Sequence, residues 1–192
     1  MHLNLQDPRL IVGVAVIVLL IVVGIALYVR KRRNTTAGLR RRFGAEYDRA
    51  VVEHGSERNA QVKLADRETR VENLKIRNLG ATERERFVAE WQSVQSHFVD
   101  HPKAAVTEAD ELVSSLIQAR GYPVADFDQR AADMSVRHPR LVEQYRSAHG
   151  VAVRPGTDES STEDLRTAMI QYRTLFDELV QGQTPEEIKS VA

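Results

Sequence analysis

Hydrophobic positions fall along this chain in two different patterns. From Leu10 to Val29 twenty consecutive residues carry no charge, and at about 1.5 Å per residue they form a helix about 30 Å long, the thickness of a bilayer's hydrocarbon core. From Leu39 onward the apolar residues instead recur at helical spacing among charged ones. Leu39, Phe43, Tyr47 and Val51 make a first stripe, closed by His54 and Gly55, where glycine favours a helix C-terminus. Ser56 caps a second helix with Ala60, Leu64, Arg67, Val71 and Leu74 on one face.

Thr82 and Glu85 form a capping box ahead of Phe87, Val88, Trp91, Val94 and Phe98, which predicts a third helix. Pro102 opens a fourth, where its missing N–H costs nothing, and Ala105, Ala109, Leu112, Val113, Leu116 and Ile117 carry the face to Gly121. Tyr122-Pro123 turns the chain into a shorter helix from Asp126 to Ser135, and His138-Pro139 breaks that helix ahead of Leu141, Val142, Tyr145 and Ala148. Residues 154–160 read as a loop. Ser160 with Glu163, and Ser161 with Asp164, both offer caps for a last helix whose Leu165, Ala168, Met169, Tyr172, Leu175, Phe176 and Leu179 demand burial. No run has strand period. The expectation is an all-α protein: one transmembrane helix at 10–29, then a small bundle of six or seven helices over 39–181, with a flexible tail at 182–192.

Charge sets the orientation. Arg30, Lys31, Arg32 and Arg33 follow the apolar stretch directly, and Arg40, Arg41 and Arg42 reinforce them. A cleaved signal peptide carries its positive charge before the apolar run, so this is an uncleaved anchor. The positive-inside rule puts residues 1–9 outside and the domain in the cytoplasm, a single-pass arrangement. Residues 30–38 form a basic juxtamembrane linker. Gly13 and Gly24 lie eleven apart, without the spacing that pairs membrane helices.

The net charge of zero conceals an asymmetry: residues 1–43 hold eight Lys/Arg against one acid, and the remainder nineteen against twenty-six. The acidic body argues against nucleic acid as a partner, since phosphate binding wants a basic face. No cysteine is present, which excludes disulfides, thiolate metal sites and cysteine nucleophiles.

Candidate chemistry is sparse. His97 and His101, four apart with Asp100 between, could grip a metal on one helix face, but they sit at a helix end before Pro102, where histidines also cap loose carbonyls. His138 and His149 lie at apparent boundaries and read as local caps. Trp91, Tyr145 and Tyr172 read as core. Asp110 with Glu111, and Asp126 with Asp128, read as solvated acids, because neighbours at those spacings do not face each other on a helix. Glycine-rich phosphate loops and nucleophile elbows are absent, so no cofactor is expected.

The segments Leu39-Arg40-Arg41-Arg42-Phe43-Gly44-Ala45-Glu46-Tyr47-Asp48-Arg49-Ala50-Val51, Glu83 to Asp100 with Phe87 and Trp91, and Ala119-Arg120-Gly121-Tyr122-Pro123 through Ala131-Ala132-Asp133 to His138-Pro139 resemble an uncharacterised family of bacterial proteins, usually labelled hypothetical, membrane or secreted. The resemblance runs from about Leu39 to Leu179. It implies a bacterial, membrane-tethered helical domain, placed by the charge pattern at a bacterial inner membrane, and the family has no assigned activity to carry over. The expected function is a protein-interaction module, an adaptor or accessory at the inner face of the membrane with the bilayer and a protein as partners. A regulatory or stress-response component is a second reading, and a metal-dependent hydrolase on His97 and His101 a third.

Overall fold

The computed structural model describes residues 36–154 and 161–182. The expected membrane segment 10–29, the cluster Arg30, Lys31, Arg32 and Arg33, most of the predicted loop and the tail from 183 lie outside them. Among the described residues no helix is long and apolar enough to cross a membrane. The chain divides into two compact units, one ending at Arg41 and one beginning at Arg42. Of the first, residues 36–41 are described and are helical.

The second unit is built from helices, with no strand among its described residues. They are α1 (Ala45–His54), α2 (Glu57–Glu72), α3 (Ala81–Asp100), α4 (Pro102–Ala119), α5 (Phe127–Arg137), α6 (Pro139–Ala152) and α7 (Thr162–Gln181). The all-helical bundle matches the periodicity. The single helix expected across 39–54 is interrupted, because Gly44 takes φ 55, a left-handed conformation that glycine adopts without steric cost. Phe43 and Tyr47 on either side are still fully buried.

Ser56 accepts the Asn59 N–H at 3.2 Å and Asp126 accepts that of Gln129 at 2.8 Å, each satisfying an otherwise orphaned donor. Of the two caps open to the last helix, Ser161 with Asp164 forms the reciprocal pair. The box predicted at Thr82 is displaced: α3 starts at Ala81, and Glu83 accepts the Gly80 N–H at 3.0 Å. Arg77 explains the choice, since its guanidinium grips both Glu83 oxygens at 2.7 Å. That fork, with the Gly80 N–H, holds the Glu83 carboxyl down to about 2.

The main core is shared by α3, α4, α6 and α7, with α5 along one side. Trp91 stacks on Phe176 with centroids 4.8 Å apart and planes at 15°. Leu116, Ile117, Met134 and Leu175 are fully buried beside residues of the same stripes, each contributing about 1.5–3 kcal/mol by leaving water. Phe43, Tyr47, Ala50, Ala60, Leu64 and Val71 are buried where α1 and α2 pack. These two helices are antiparallel, as Tyr47 meets Gln61 nearer the turn while Glu46 meets Arg67 further out. The same logic makes α2 antiparallel to α5, with Arg67 on Ser135 and Arg70 on Asp133.

The non-helical stretch 75–80 is clasped at the C-terminal ends of α4 and α7. Arg77 N–H donates to the Arg120 carbonyl at 2.9 Å, and the fully buried Arg120 guanidinium donates to the Leu179 carbonyl at 2.6 Å. A cation there also suits the negative end of α7's dipole. Gly121, at φ +96, lies so close beneath this stretch that a Cβ would sit 2.4 Å from the Lys75 carbonyl oxygen.

Candidate functional site

Where α1, α2, α5 and α6 meet, a cleft of about 1040 Å³ opens, lined largely by charged side chains. Its floor is set by Arg67 and Arg146, whose side chains are only 11% and 14% exposed. Both turn to one buried carboxylate, Glu46: Arg146 Nε donates to it at 2.8 Å, and Arg67 Nη1 stands 3.6 Å away. Arg67 also donates to Ser135 Oγ at 3.1 Å. A second acid, Asp128, accepts from Arg146 Nη1 at 2.9 Å although its own side chain is 80% exposed. Alongside, Arg70 donates through two nitrogens to one oxygen of the buried Asp133, which also accepts from Gln129 at 2.8 Å.

The electrostatics follow from burial. Arg67 lies below its ordinary value because loss of water outweighs the attraction of Glu46 and Glu53. Arg146 is also desolvated, yet its bonds to Glu46 and Asp128 more than offset that and raise it. A buried guanidinium is tolerated only when paired, and here two of them depend on one buried carboxylate.

A second polar assembly threads the bundle. Asp110 accepts the Tyr172 hydroxyl at 2.8 Å and lies 3.0 and 3.1 Å from His149 Nδ1. The His149 ring lies flat on Phe127, centroids 3.6 Å apart at 7°. Arg130 joins Tyr145 and Ser114 at 3.0 and 2.6 Å. Burial first, then the Asp110 charge, pushes the Tyr172 phenol upward, and burial pushes Tyr145 up to about 12. Asp110 is therefore not the solvated acid expected from sequence, because α6 and α7 close over it. His149 does lie in the last turn of α6, which runs on through Gly150 to Ala152, but its side chain is spent on Asp110.

The remaining candidates are dispersed. His97 Nδ1 lies 3.0 Å from Glu108 Oε2 at a half-exposed position. His101 is exposed, and its backbone N–H donates to the His97 carbonyl at the junction of α3 and α4. Among the described residues no group of three or more His, Asp or Glu could hold a metal ion. Arg42 pairs with Glu68 at 2.8 Å; Arg40 and Arg41 are exposed on the helical segment before it. His138 sits at the expected boundary, closing α5 with its backbone N–H on the Met134 carbonyl and preceding α6, but its side chain makes no capping bond and is buried. Trp91, Tyr145 and Tyr172 are buried.

The cleft residues carried a signal in the sequence. Arg67 occupies an apolar-stripe position of α2, Glu46 falls between Phe43 and Ala50 on that of α1, and Arg146 follows Val142 by four. A charge at such a position is buried and must find an opposite one. Comparison of the chain with family models, curated proteins and solved structures finds no match.

Proposed function

We propose that this chain is a membrane-tethered helical interaction module, in which residues 10–29 anchor the domain and the α1/α2/α5/α6 cleft recognises a protein partner at the inner face of a bacterial membrane. The observation that carries this reading is the cleft itself. Its guanidinium groups are held by buried ion pairs on rigid helices yet face an opening large enough for a peptide segment, and side chains fixed in this way lose little entropy on binding. The apolar run and the basic cluster after it support the anchor and its orientation. The resemblance of the three quoted segments to bacterial membrane-anchored proteins supports the same assignment. The module acts by holding its partner as an adaptor or accessory, not by catalysis.

Site-specific photo-crosslinking from the full-length protein in its own membrane tests this. Val52 lines the cleft and Val99 lies on α3; they are 84% and 82% exposed. A photoreactive residue at 52 is expected to give a discrete protein adduct that one at 99 does not. Identical adducts from both positions, or none from either, would count against the reading.

A further inference from the structure

The cleft also says what kind of group it receives, and this inference rests on the interaction-module reading. Arg67 and Arg146 share Glu46, so the buried part of the site holds two positive charges against one negative, Arg70 being balanced by the buried Asp133. The missing anion is supplied by Asp128, an acid that stands almost wholly in water and reaches back to Arg146. Its other cation, Arg49, is 4.0 Å away and half-exposed. With Arg146 only 14% exposed and Asp128 80% exposed, water reaches the acid and not the guanidinium, so the acid is the partner that an incoming carboxylate displaces.

Around the opening the sign reverses. Asp48, Glu53, Asp66 and Asp126 are exposed on the lining against Lys63 and Arg49, Arg70 being already paired with Asp133. A doubly charged phosphate would meet this acidic rim unfavourably, whereas a single carboxylate flanked by cationic side chains satisfies floor and rim together. Guanidinium groups bind a carboxylate through two parallel N–H donors, and the volume exceeds what one small anion fills.

We infer that the cleft docks a polypeptide segment carrying one aspartate or glutamate flanked by lysine or arginine, whose carboxylate replaces Asp128 on Arg146. Asp128 is thus an internal placeholder that keeps the floor of the cleft neutral. Arg67, which shares Glu46 with Arg146 at 3.6 Å, stands beside the same incoming group.

The test is fluorescence anisotropy on the full-length chain in detergent micelles, with a labelled peptide bearing one central glutamate between lysine and arginine residues. Its glutamine and phosphoserine analogues serve as comparisons. The glutamine analogue is expected to bind at least about tenfold more weakly, as loss of a hydrogen-bonded charge pair implies, and Arg146→Gln should abolish the difference between the two peptides. Asp128→Asn, an exposed change that leaves the fold intact, should tighten the glutamate peptide about three- to fivefold by removing the competitor. Equal binding of the glutamate and glutamine peptides, an unchanged or weakened affinity in Asp128→Asn, or tighter binding of the phosphoserine peptide would overturn the inference. Any of these would leave the crosslinking result at position 52 standing, so a failed peptide and a failed module are distinguishable.

Discussion

Lowering the pH should loosen this domain through His138, the residue that joins α5 to α6. Its ring is buried, and desolvation first, then the neighbouring Arg120 and Arg137 charges, depress it from 6.5 to about 4. Glu178 lies 3.9 Å from Nδ1, too far for a hydrogen bond. A histidine with a depressed folded-state value is neutral in both states above pH 6.5. As the pH falls from there toward 4, the unfolded chain takes up a proton that the folded one refuses, so stability is lost across that window and not above it. Each unit of depression is worth about 1.4 kcal/mol, so by pH 4.5 the loss comes to about 2 kcal/mol. Urea unfolding of the full-length chain in mild detergent, followed by the fluorescence of Trp91, reads it, since Trp91 is the sole tryptophan and lies in the core. Other groups also titrate there, so the comparison is with His138→Gln, whose stability should fall less between pH 7 and 4.5 by that amount. Parallel pH profiles for the two proteins would refute the assignment.

Three further outcomes follow from the packing. Gly121→Ala places a Cβ against the Lys75 carbonyl at a left-handed φ, and should cost about 2–3 kcal/mol in denaturant titrations monitored by circular dichroism. Phe176→Ala removes the ring stacked on Trp91, which should shift the Trp91 emission maximum and lower stability by about 3–5 kcal/mol. Tyr172→Phe deletes one of the donors to Asp110 and should cost about 1–2 kcal/mol, whereas Asp110→Ala, which strands both Tyr172 and His149, should cost more in the same melts.

The helices were legible in the sequence wherever an apolar stripe coincided with a terminal signal. Pro102, Ser161 with Asp164, and the turn at Gly121 marked ends that the structure uses, and the last helix's seven apolar residues are buried. Less legible was anything decided by a distant partner. Glu83 displaces the predicted Thr82 box because Arg77 arrives from outside the helix to hold it. Asp110 looks like a surface acid until α6 and α7 supply His149 and Tyr172, and His138, at the α5–α6 boundary as expected, gives no sign in sequence that its ring is buried under the charges of Arg120 and Arg137. Gly44 could have been read as a break, but it sits inside an unbroken i, i+4 stripe from Leu39 to Val51, which favoured one long helix. The cleft was half visible. Arg67 stood on the apolar face of α2 in plain sequence, and a guanidinium there requires a buried carboxylate; which one, Glu46, depends on the packing of α1 against α2 and α6.

The absence of cysteine makes the membrane placement directly measurable. A single cysteine at position 6 and, separately, one at 124, where Val124 is 84% exposed, can be labelled in intact cells with a membrane-impermeant maleimide. The tethered, inward-facing arrangement predicts that position 6 reacts in intact cells and position 124 only after permeabilisation, with both species in the membrane fraction. Labelling of position 124 in intact cells, or recovery of the chain in the soluble fraction, would contradict it.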